Sequence, residues 1–410
     1  MKKILFILLA VMLAISVGLI GCTTPSQQEE EEEEPEEWEL PVLLPLTGPI
    51  AGYGLMGQWS AEYAAEQINA AGGIDGKPVK LTYYDCPMDP GIAVVSATEA
   101  IAKDPLYIIG PLDPVSMGAM VHLAVEEGVC LTGEMFPDVM VQYAPWVTYE
   151  RTAIWPTTIA GIGEWVDIHP EIETIVMIYD PYMNSDPASG VIPACEEFGL
   201  TLLEAIEIET GQLDMSAVAT RALAANPDGF MSQMHGDTHA RLCKELYERG
   251  MTEGWRITSG GQANSPDLYT IGEGYIEDTY IWDTGDVTSN DPDWLAYVDA
   301  FAADHDGAFP LTWANWGFYE AVYAFKAAVE RMNITGLPSK LAEERLAIRD
   351  FLFNAEGIPS VFGGTYNYVE GFKVMDLMFY QNKNNVAERV SIIDESILQD
   401  YQQRLEPELP

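Results

Sequence analysis

The feature that most constrains the fold is an alternation of short apolar runs with amphipathic stretches, which starts near Pro41 and occurs in two series. The first series predicts strands at 42–46, 79–84, 107–109 and 129–132, with helices at 57–71, 92–102 and 118–127. The second series predicts helices at 157–166, 189–197, 215–225 and 238–249, with strands at 174–179, 202–208, 229–233 and 255–259. This order is typical of parallel sheets covered by helices on both faces, and two series indicate two α/β lobes.

The size and charge of the chain fit two lobes and exclude one class of partner. The chain has 410 residues, which is more than one hydrophobic core normally organises. Of these, 48% are apolar, which is too high a fraction for a disordered chain. The formal net charge is −44, and Lys and Arg form no basic stripe. Nucleic acid is therefore not expected as a partner, because binding to phosphates requires clustered cations.

The expected ligand site lies between the two lobes. In open parallel sheets, ligands bind beyond the carboxyl ends of the strands, where helix N-termini present unpaired N–H groups. Two lobes that face each other edge to edge would place these ends around a shared cleft. The sequence contains no nucleophile elbow, ordered Ser/His/Asp set or phosphate-binding glycine loop, so neither an enzyme nor a bound cofactor is expected.

The N-terminus has the pattern of an exported lipoprotein. Lys2 and Lys3 precede an apolar run at 4–20, and Gly21 and Cys22 follow it. This ending resembles the lipobox of bacterial lipoproteins, which implies a signal peptide at 1–21, cleavage before Cys22 and lipidation of that cysteine. An uncleaved membrane helix is the alternative, since the 17 apolar residues lie at the short limit for a span.

Residues 22–40 are predicted to be an acidic tether. They include six consecutive Glu residues at 29–34, and such dense like charges repel each other and have nothing to bury. The folded part would then stand off the membrane on an extended segment. The remaining cysteines are Cys86, Cys130, Cys195 and Cys243. Their even number permits two disulfides in an oxidising compartment, but buried free thiols fit the spacings equally well.

Several stretches of the chain form a recognisable set of motifs. The opening carries PLTGPIAGYG at 45–54 and AAEQINAAGGIDGK at 64–77. Tyr84-Asp85 with Asp89-Pro90, Ile108-Ile109-Gly110-Pro111 and the aromatic segment 313–331 follow. Together these stretches resemble the branched-chain amino-acid type of periplasmic substrate-binding protein. The resemblance covers roughly 41–379. It implies the receptor of an ATP-driven (ABC) importer, like the leucine/isoleucine/valine-binding proteins.

The resemblance also implies the type I periplasmic binding protein fold, which has two doubly wound parallel-sheet lobes joined by three crossovers. The crossovers are expected near 147–155, 281–286 and 363–369. The N-terminal lobe would comprise 41–150 and 285–362, and the C-terminal lobe would comprise 151–284 and 363–410. Crossovers of this kind act as hinges when the lobes close around a ligand.

In the first lobe, the resemblance places candidate contacts in the loops after the strands. They are Tyr53, Asp113, Ser116, Glu134, Met135, Phe136 and Trp313. Relatives place a tyrosine over the ligand at the position of Tyr53. They hold an α-carboxylate with small hydroxyl residues after the third strand, where this chain has its hydroxyl at Ser116 and a negative charge at Asp113. The bulk of 134–136 likewise suggests a smaller, more apolar or non-carboxylate ligand. Trp313 begins a helix whose aromatic stripe is expected to pack in the core, and its position at the helix start makes it a candidate for the cleft as well.

In the second lobe, the candidate contacts are Tyr182, Asn184, Asp186, His235, Asp237 and Gln262. Tyr182 is expected to stack on the ligand as the corresponding tyrosine of the relatives does. Gln262 stands where relatives use a glutamate against an ammonium group, and an amide cannot supply that ion pair. His235, Asp237 and His239 could together bind a transition metal, although His239 is expected inside the following helix.

The sequence thus predicts a lipid-anchored, extracytoplasmic receptor, on the outer face of the cytoplasmic membrane or in the periplasm. It would capture a small polar or aromatic molecule (amino-acid-like, an amide or an aromatic acid) by lobe closure and deliver it to a membrane permease. Two alternatives are a sensory receptor of the same fold without a transporter, and a secreted metal-dependent hydrolase built on His235, Asp237 and His239.

Overall fold

Two separate β-sheets organise the computed structural model, which describes residues 34–48, 50–134, 139, 142–149, 151–181, 187–188, 190–309 and 313–404. The strands are β1 (Trp38–Leu44), β2 (Val79–Asp85), β3 (Tyr107–Ile109), β4 (Cys130–Gly133), β5 (Val147–Tyr149), β6 (Thr174–Tyr179), β7 (Thr201–Glu207), β8 (Gly229–Gln233), β9 (Ile257–Ser259), β10 (Tyr280–Asp283), β11 (Ile358–Pro359), β12 (Thr365–Val369), β13 (Phe372–Val374), β14 (Leu377–Lys383) and β15 (Val386–Ile393). The helices are α1 (Ala51–Ala70), α2 (Pro90–Ile101), α3 (Pro114–Glu126), α4 (Ile154–Ile168), α5 (Val191–Phe198), α6 (Ser216–Ala224), α7 (Gly236–Glu248), α8 (Pro266–Ile271), α9 (Pro292–Asp304), α10 (Trp313–Met332), α11 (Leu341–Phe353) and α12 (Glu395–Arg404).

Each sheet is parallel through its centre and antiparallel at one end. The first has the order β11-β12-β13-β5-β4-β3-β1-β2, in which β11, β12 and β13 pair antiparallel and the other neighbours pair parallel. The second has the order β15-β14-β10-β9-β8-β6-β7, in which β14 pairs antiparallel with both β10 and β15. The predicted fold class of two doubly wound α/β lobes is confirmed.

Side chains that alternate along the central strands explain why helices cover both faces of a sheet. In β6, Ile175 and Met177 pack in a cluster with residues of α4, α5 and α12, whereas Val176 and Ile178 pack with residues of α6 and α7. Successive residues of a strand point to opposite faces, so a continuously apolar strand needs cover on both sides. The unbroken apolar run of this strand, which matches the predicted 174–179, encodes that arrangement.

In the first lobe, α1 packs directly on α10. The aromatic stripe of α10 lies in the core as expected, since Trp316 is buried and the Phe325 ring stacks on Tyr107 with 5.9 Å between centroids. Helix α1 begins at Ala51, earlier than the predicted 57. A Cβ at Gly54 would overlap the carbonyl oxygen of Pro45, so glycine at this position allows the first turn of α1 to lie against the end of β1.

The chain passes between the sheets three times. The first two passages fall between β5 and α4 and between β10 and α9, in or beside the ranges expected from the sequence. The third falls between β13 and β14, later than the expected 363–369, because β12 and β13 still belong to the first sheet. These two strands form a hairpin whose turn residues, Glu370 and Gly371, both have positive φ angles.

The predicted tether of 22–40 extends too far. Strand β1 starts at Trp38, whose side chain is buried and whose indole N–H donates to Ile74 O at 2.9 Å. Before it, Glu34 pairs with Lys77 at 2.7 Å. The signal peptide and Cys22 lie outside the described residues, and among the helices that are described none has the length and hydropathy to cross a membrane. The cysteines Cys86, Cys130, Cys195 and Cys243 are buried free thiols, which decides between the two alternatives left open by the sequence.

Candidate ligand-binding site

A cavity with an empty volume of about 540 Å³, its open mouth included, lies between the lobes. Its lining residues are Ile50, Tyr53, Met88, Leu112, Asp113, Pro114, Glu134, Arg151, Thr210, His235 and Trp313. All but Trp313 lie in the loops or first helical turns that follow the C-terminal ends of seven different strands. The site therefore occupies the place where parallel sheets of this kind bind ligands.

One aromatic contact joins the two walls of the cavity. The ring of Tyr53, on α1, lies 5.3 Å from the ring of His235, which directly precedes α7 in the second lobe. Burial raises the pKa of Tyr53, and the carboxylates of Asp237 and Asp267, both in the second lobe, raise it further. Burial lowers the pKa of His235 although Asp180 and Asp237 oppose this, so the imidazole is neutral at neutral pH.

A buried ion pair forms another part of the wall. Arg151 donates from Nε to Glu134 Oε2 at 2.8 Å and from Nη2 to Oε1 at 2.7 Å, and the Tyr149 hydroxyl donates to the same Oε1 at 2.7 Å. The guanidinium also lies 4.7 Å from the centroid of the Trp313 ring. This fork geometry fixes the position of Arg151 relative to β4 and α10.

Sequence reasoning missed Arg151. A signal existed, because Arg151 is one of only 20 Lys and Arg residues in the chain and falls within the predicted first crossover. Nothing local, however, connects it with Glu134, which is 17 positions earlier. The lining residues Ile50, Met88, Leu112, Pro114 and Thr210 were also missed, since short apolar or small residues after a strand are typical of ordinary turns.

Asp113 and Ser116 belong to the first turn of α3. Asp113 is the N-cap residue and its Oδ1 accepts from the Ser116 N–H at 2.8 Å, whereas its Oδ2 accepts no hydrogen bond from the described residues. The Asp113 side chain is only 3% exposed although it lines the cavity. Burial raises its pKa, the N–H groups of Ser116 and Val115 and the Ser116 hydroxyl oppose this in part, and Glu134 adds to the rise. Ser116 is fully buried and is not one of the lining residues.

A second cavity, with an empty volume of about 340 Å³, adjoins the first and shares Arg151 with it. Its lining residues are Arg151, Thr152, Ile154, Thr157, Thr158, Gln233, Gly261, Trp282, Asp283, Thr284 and Leu377. The Gln233 side chain donates to the Thr158 hydroxyl at 2.6 Å. Burial raises the pKa of Asp283 to about 7, although its Oδ1 accepts from the Thr284 N–H at 2.7 Å. This cavity is richer in hydroxyl and amide groups than the first.

The remaining predicted site residues fall into two groups. Met135, Phe136, Tyr182, Asn184 and Asp186 lie outside the described residues, as does the side chain of Gln262, whose backbone forms the 3₁₀ turn Gly261–Ala263. Asp237 is described and lies in the first turn of α7, close enough to influence Tyr53 and His235 without lining the cavity.

The alternative of a metal site on His235, Asp237 and His239 is not supported. His239 is fully buried behind the cleft, with Nδ1 2.8 Å from Ser232 Oγ and Nε2 3.5 Å from Cys243 Sγ. Burial lowers its pKa to about 4. Both ring nitrogens thus face the core, and the described part of the chain contains no group of three or more His, Cys, Asp and Glu side chains arranged to hold a metal ion.

Comparisons with known proteins agree with this geometry. A family model described as periplasmic binding protein matches residues 37–384. The Leu/Ile/Val-binding protein homolog 3 of Brucella melitensis biotype 1 is 25% identical over 341 residues, which cover 80% of this chain and 86% of that protein.

Two solved structures illustrate the similarity of the fold. The leucine binding protein LivK of Thermotoga maritima has a TM-score of 0.72 and 21% identity, and the match covers 87% of this chain and 99% of that one. A solute binding protein of an ABC transporter from Rhodopseudomonas palustris BisB5, in complex with 3,4-dihydroxy benzoic acid, has a TM-score of 0.75 and 14% identity, with 88% and 98% covered.

Proposed function

This chain belongs to the periplasmic binding protein family, and we propose that it is the lipid-anchored receptor of an ABC importer that captures a small polar or aromatic solute between its lobes. Members of this family are extracytoplasmic, bind small molecules and work with ABC transporters, and the relatives and the fold are those of solute-binding proteins rather than enzymes. The names of the relatives point to aliphatic amino acids and to aromatic acids as solutes to test.

The observation that carries the proposal is the cavity lined from both lobes, with Tyr53 and His235 in ring contact across it. A solute held between such walls contacts both lobes only when they are closed. It therefore binds the closed form better than the open form and shifts the population toward closure by that difference in affinity. The crossovers would absorb the rotation.

We propose the following roles for the site residues. Tyr53, His235 and Trp313 would enclose the solute with flat apolar surfaces, and the neutral imidazole of His235 offers one donor or one acceptor. Glu134 and Arg151 would act as a rigid pair that sets the width of the cavity. Met135, Phe136, Tyr182, Asn184, Asp186, Asp237 and Gln262 stay candidate contacts on the strength of the resemblance.

The direct test is a binding screen on the purified full chain in detergent. Amino acids, amides, urea and aromatic acids are compared by thermal shift and titration calorimetry, and the recovered solute is checked for chemical change. We expect one chemical class to bind intact, with stabilisation of about 2.7 kcal/mol at a concentration 100-fold above its Kd. Conversion of the solute, or no binding from any class, would contradict the receptor function.

Transport and anchoring need their own measurements. Cells that lack this chain should lose uptake of the bound solute at low concentration, and unchanged uptake would favour a sensory role instead. Replacement of Cys22 by Ser should release the protein from the membrane fraction if the lipid anchor is real, because the acyl chains on that cysteine would supply the membrane affinity.

A further inference from the structure

We propose that the solute presents a nitrogen donor group, such as an ammonium, an amidinium or a primary amide, to Asp113 and does not present a carboxylate there. Behind this head group it would carry an apolar or aromatic body. This inference rests on the proposed receptor function and names the chemical class of the solute.

The first observation comes from two Asp-Pro helix caps that differ in their surroundings. Asp89 caps α2 after β2, and its Oδ1 accepts from the N–H groups of Gly91 and Ile92 at 2.8 and 3.0 Å. Asp113 caps α3 after β3 in the same way, through Oδ1 and the N–H of Ser116. Asp89 is exposed, so water solvates its other oxygen, whereas Asp113 is 3% exposed and its Oδ2 has no donor in hydrogen-bond geometry among the described residues. The Ser116 hydroxyl and the Val115 N–H lower the pKa of this carboxyl, but they do not offset its burial. Helix capping therefore accounts for the burial of one oxygen of Asp113, Oδ1, and not for the burial of the other.

A buried carboxylate oxygen without a donor is costly, because the charged form loses its hydration and gains nothing in return. Asp113 lines the cavity, so a solute can supply the missing donor there. An N–H group that bonds to Oδ2 would remove the deficit, and a positive charge on that group would strengthen the bond.

The same geometry disfavours a carboxylate at this end of the cavity. The N-terminus of a helix attracts anions through its unpaired N–H groups and its dipole. In α3 the carboxylate of Asp113 already serves as that anion. A second carboxylate would meet Asp113 as a like charge in a poorly solvated place, where the repulsion is stronger than in water.

The charges of the surrounding walls point in the same direction. Among the described lining residues the one Lys or Arg is Arg151, and two of its nitrogens are bonded to Glu134. Beyond the wall, Asp237 and Asp267 act on Tyr53, and Asp180 acts on His235. The field in the cavity is therefore negative, and a solute without negative charge suits it better than an anion.

The remaining wall near Asp113 fits an apolar body. Ile50, Met88, Leu112 and Pro114 line the cavity with hydrocarbon, and Trp313 contributes a ring.

In the second cavity, the buried Oε1 of Gln233 and hydroxyl of Thr152 likewise have no hydrogen-bond partner among the described residues. The Asp113 and Gln233 oxygens can only accept, whereas the Thr152 hydroxyl can also donate, so the two acceptor oxygens favour a donor in the solute.

The test uses matched compounds that differ only in their head group. For the aliphatic body these are 3-methylbutylamine, 3-methylbutanamide and 3-methylbutanoate, and for the aromatic body they are benzylamine, benzamide and benzoate. Leucinamide is compared with leucine in the same way. Calorimetric titration of the purified full chain should show that the amine or amide of at least one series binds about 10- to 100-fold more tightly than its carboxylate.

Asp113→Asn and Asp89→Asn form a matched pair of variants. Asparagine caps a helix about as well as aspartate, so both variants should fold. Asp113→Asn should lose most of the preference for the amine over the carboxylate, whereas Asp89→Asn should keep it, because Asp89 does not line the cavity. If Asp113→Asn fails to fold, the comparison of head groups on the unmodified chain still decides.

The outcomes separate this inference from the receptor function. Tighter binding of a carboxylate than of its matched amine and amide would overturn the inference and leave the receptor function supported. The inference is equally overturned, with the receptor function intact, if Asp113→Asn keeps the original preference. If no compound of the matched series binds while another solute of the wider screen does, that solute must carry a nitrogen donor and must lose affinity in Asp113→Asn, or the inference is wrong.

Discussion

Two buried ion pairs of this molecule have similar chemistry but different surroundings. Glu320 of α10 pairs with Lys373 of β13 deep in the first lobe, where the side chains are 2% and 1% exposed. Glu134 pairs with Arg151 at the cleft, where they are 4% and 11% exposed and both line a cavity. The first pair ties the late β-hairpin to α10, a core helix of 20 residues. The second ties a crossover to the wall of the binding site, so burial alone does not indicate what an ion pair is for.

The largest effect is expected from breaking the core pair. Lys373→Met would leave the carboxylate of Glu320 buried, with the Ser360 hydroxyl at 2.6 Å and the Val361 N–H as its remaining donors among the described residues. A buried charge that loses its partner costs about 3–5 kcal/mol of unfolding free energy. Urea unfolding measures this loss, and the double variant Lys373→Met/Glu320→Gln should recover a large part of it. If the double variant were no more stable than the single one, loss of packing rather than the unpaired charge would be responsible.

A buried carboxyl beside the cleft shows what happens without a close cation. The Asp283 pKa is raised to about 7 mainly by burial, and Arg151, the Asn264 amide and the N–H groups of Thr284 and Gly285 oppose this only in part. Tyr269 and Tyr380 also lie within its field. A group of this kind gains its proton on folding.

The sign of the pH dependence follows from that proton. The folded state binds it at pH values between the ordinary Asp pKa of 3.8 and about 7, while the unfolded state does not. The contribution to stability is complete below pH 3.8, falls as pH rises through about 7 and is then lost, a change of up to about 4 kcal/mol. Asp283→Asn should abolish this change, so the variant should gain on the unmodified protein in urea unfolding as pH rises from about 4.5 to about 8.5. A constant difference across that range would contradict the raised pKa.

Breaking the Glu134–Arg151 pair at the cleft should lower the stability less than breaking the core pair, and should change ligand selection more. Arg151→Met is expected to cost about 1–3 kcal/mol, less than Lys373→Met, because Glu134 keeps the Tyr149 hydroxyl and faces a cavity that water can enter. It should also raise the ratio of amine to carboxylate affinity about tenfold, since Glu134 is no longer neutralised.

Arg151→Lys is the control for this variant. It keeps the charge but cannot reproduce the two parallel hydrogen bonds, so the affinity ratio should stay the same while stability falls slightly. Equal losses of stability in Arg151→Met and Lys373→Met, with no change in the affinity ratio, would mean that both pairs are purely structural.

The sequence predicted the parts of the molecule that local patterns determine. The strands 107–109, 174–179 and 229–233 match the structure residue for residue, because each is a short run bounded by turn or helix signals. The opening block predicted a ligand contact at Tyr53; this residue lines the cavity, and its contact with a solute stays a prediction. Asp113 was also placed at the site, on the basis of its departure from the pattern of the relatives.

The parts that sequence reasoning missed depend on contacts between distant segments. Trp38 looked like the end of an acidic tether, because its neighbours are glutamates, but tertiary packing against Ile74 and Phe325 makes it the first buried residue of β1. Strand β12 was assigned to a crossover and β13 to the C-terminal lobe, because the sequence of a strand does not determine which sheet the strand joins. The pairing of Arg151 with Glu134 is of the same kind.

The smallest effect is expected from removal of the Tyr53 hydroxyl, which belongs to the first lobe and lies near carboxylates of the second. Tyr53→Phe keeps the ring against His235 and removes the hydroxyl, whose pKa is raised by burial and further by Asp237 and Asp267 of the second lobe. If this hydroxyl stabilises the closed form through a polar contact, its loss should weaken solute binding by about 0.5–1.5 kcal/mol, a few-fold change in Kd, because that is the net value of a typical hydrogen bond.

Tyr63→Phe is the matched control, since Tyr63 is on the same helix and stacks on Trp59 in the first lobe. Calorimetric titration of both variants should show a weaker Kd for Tyr53→Phe alone. Equal Kd values for the two variants would mean that Tyr53 joins the walls of the cleft through ring packing alone. The two ion pairs would then be the remaining distinction between the cleft and the core.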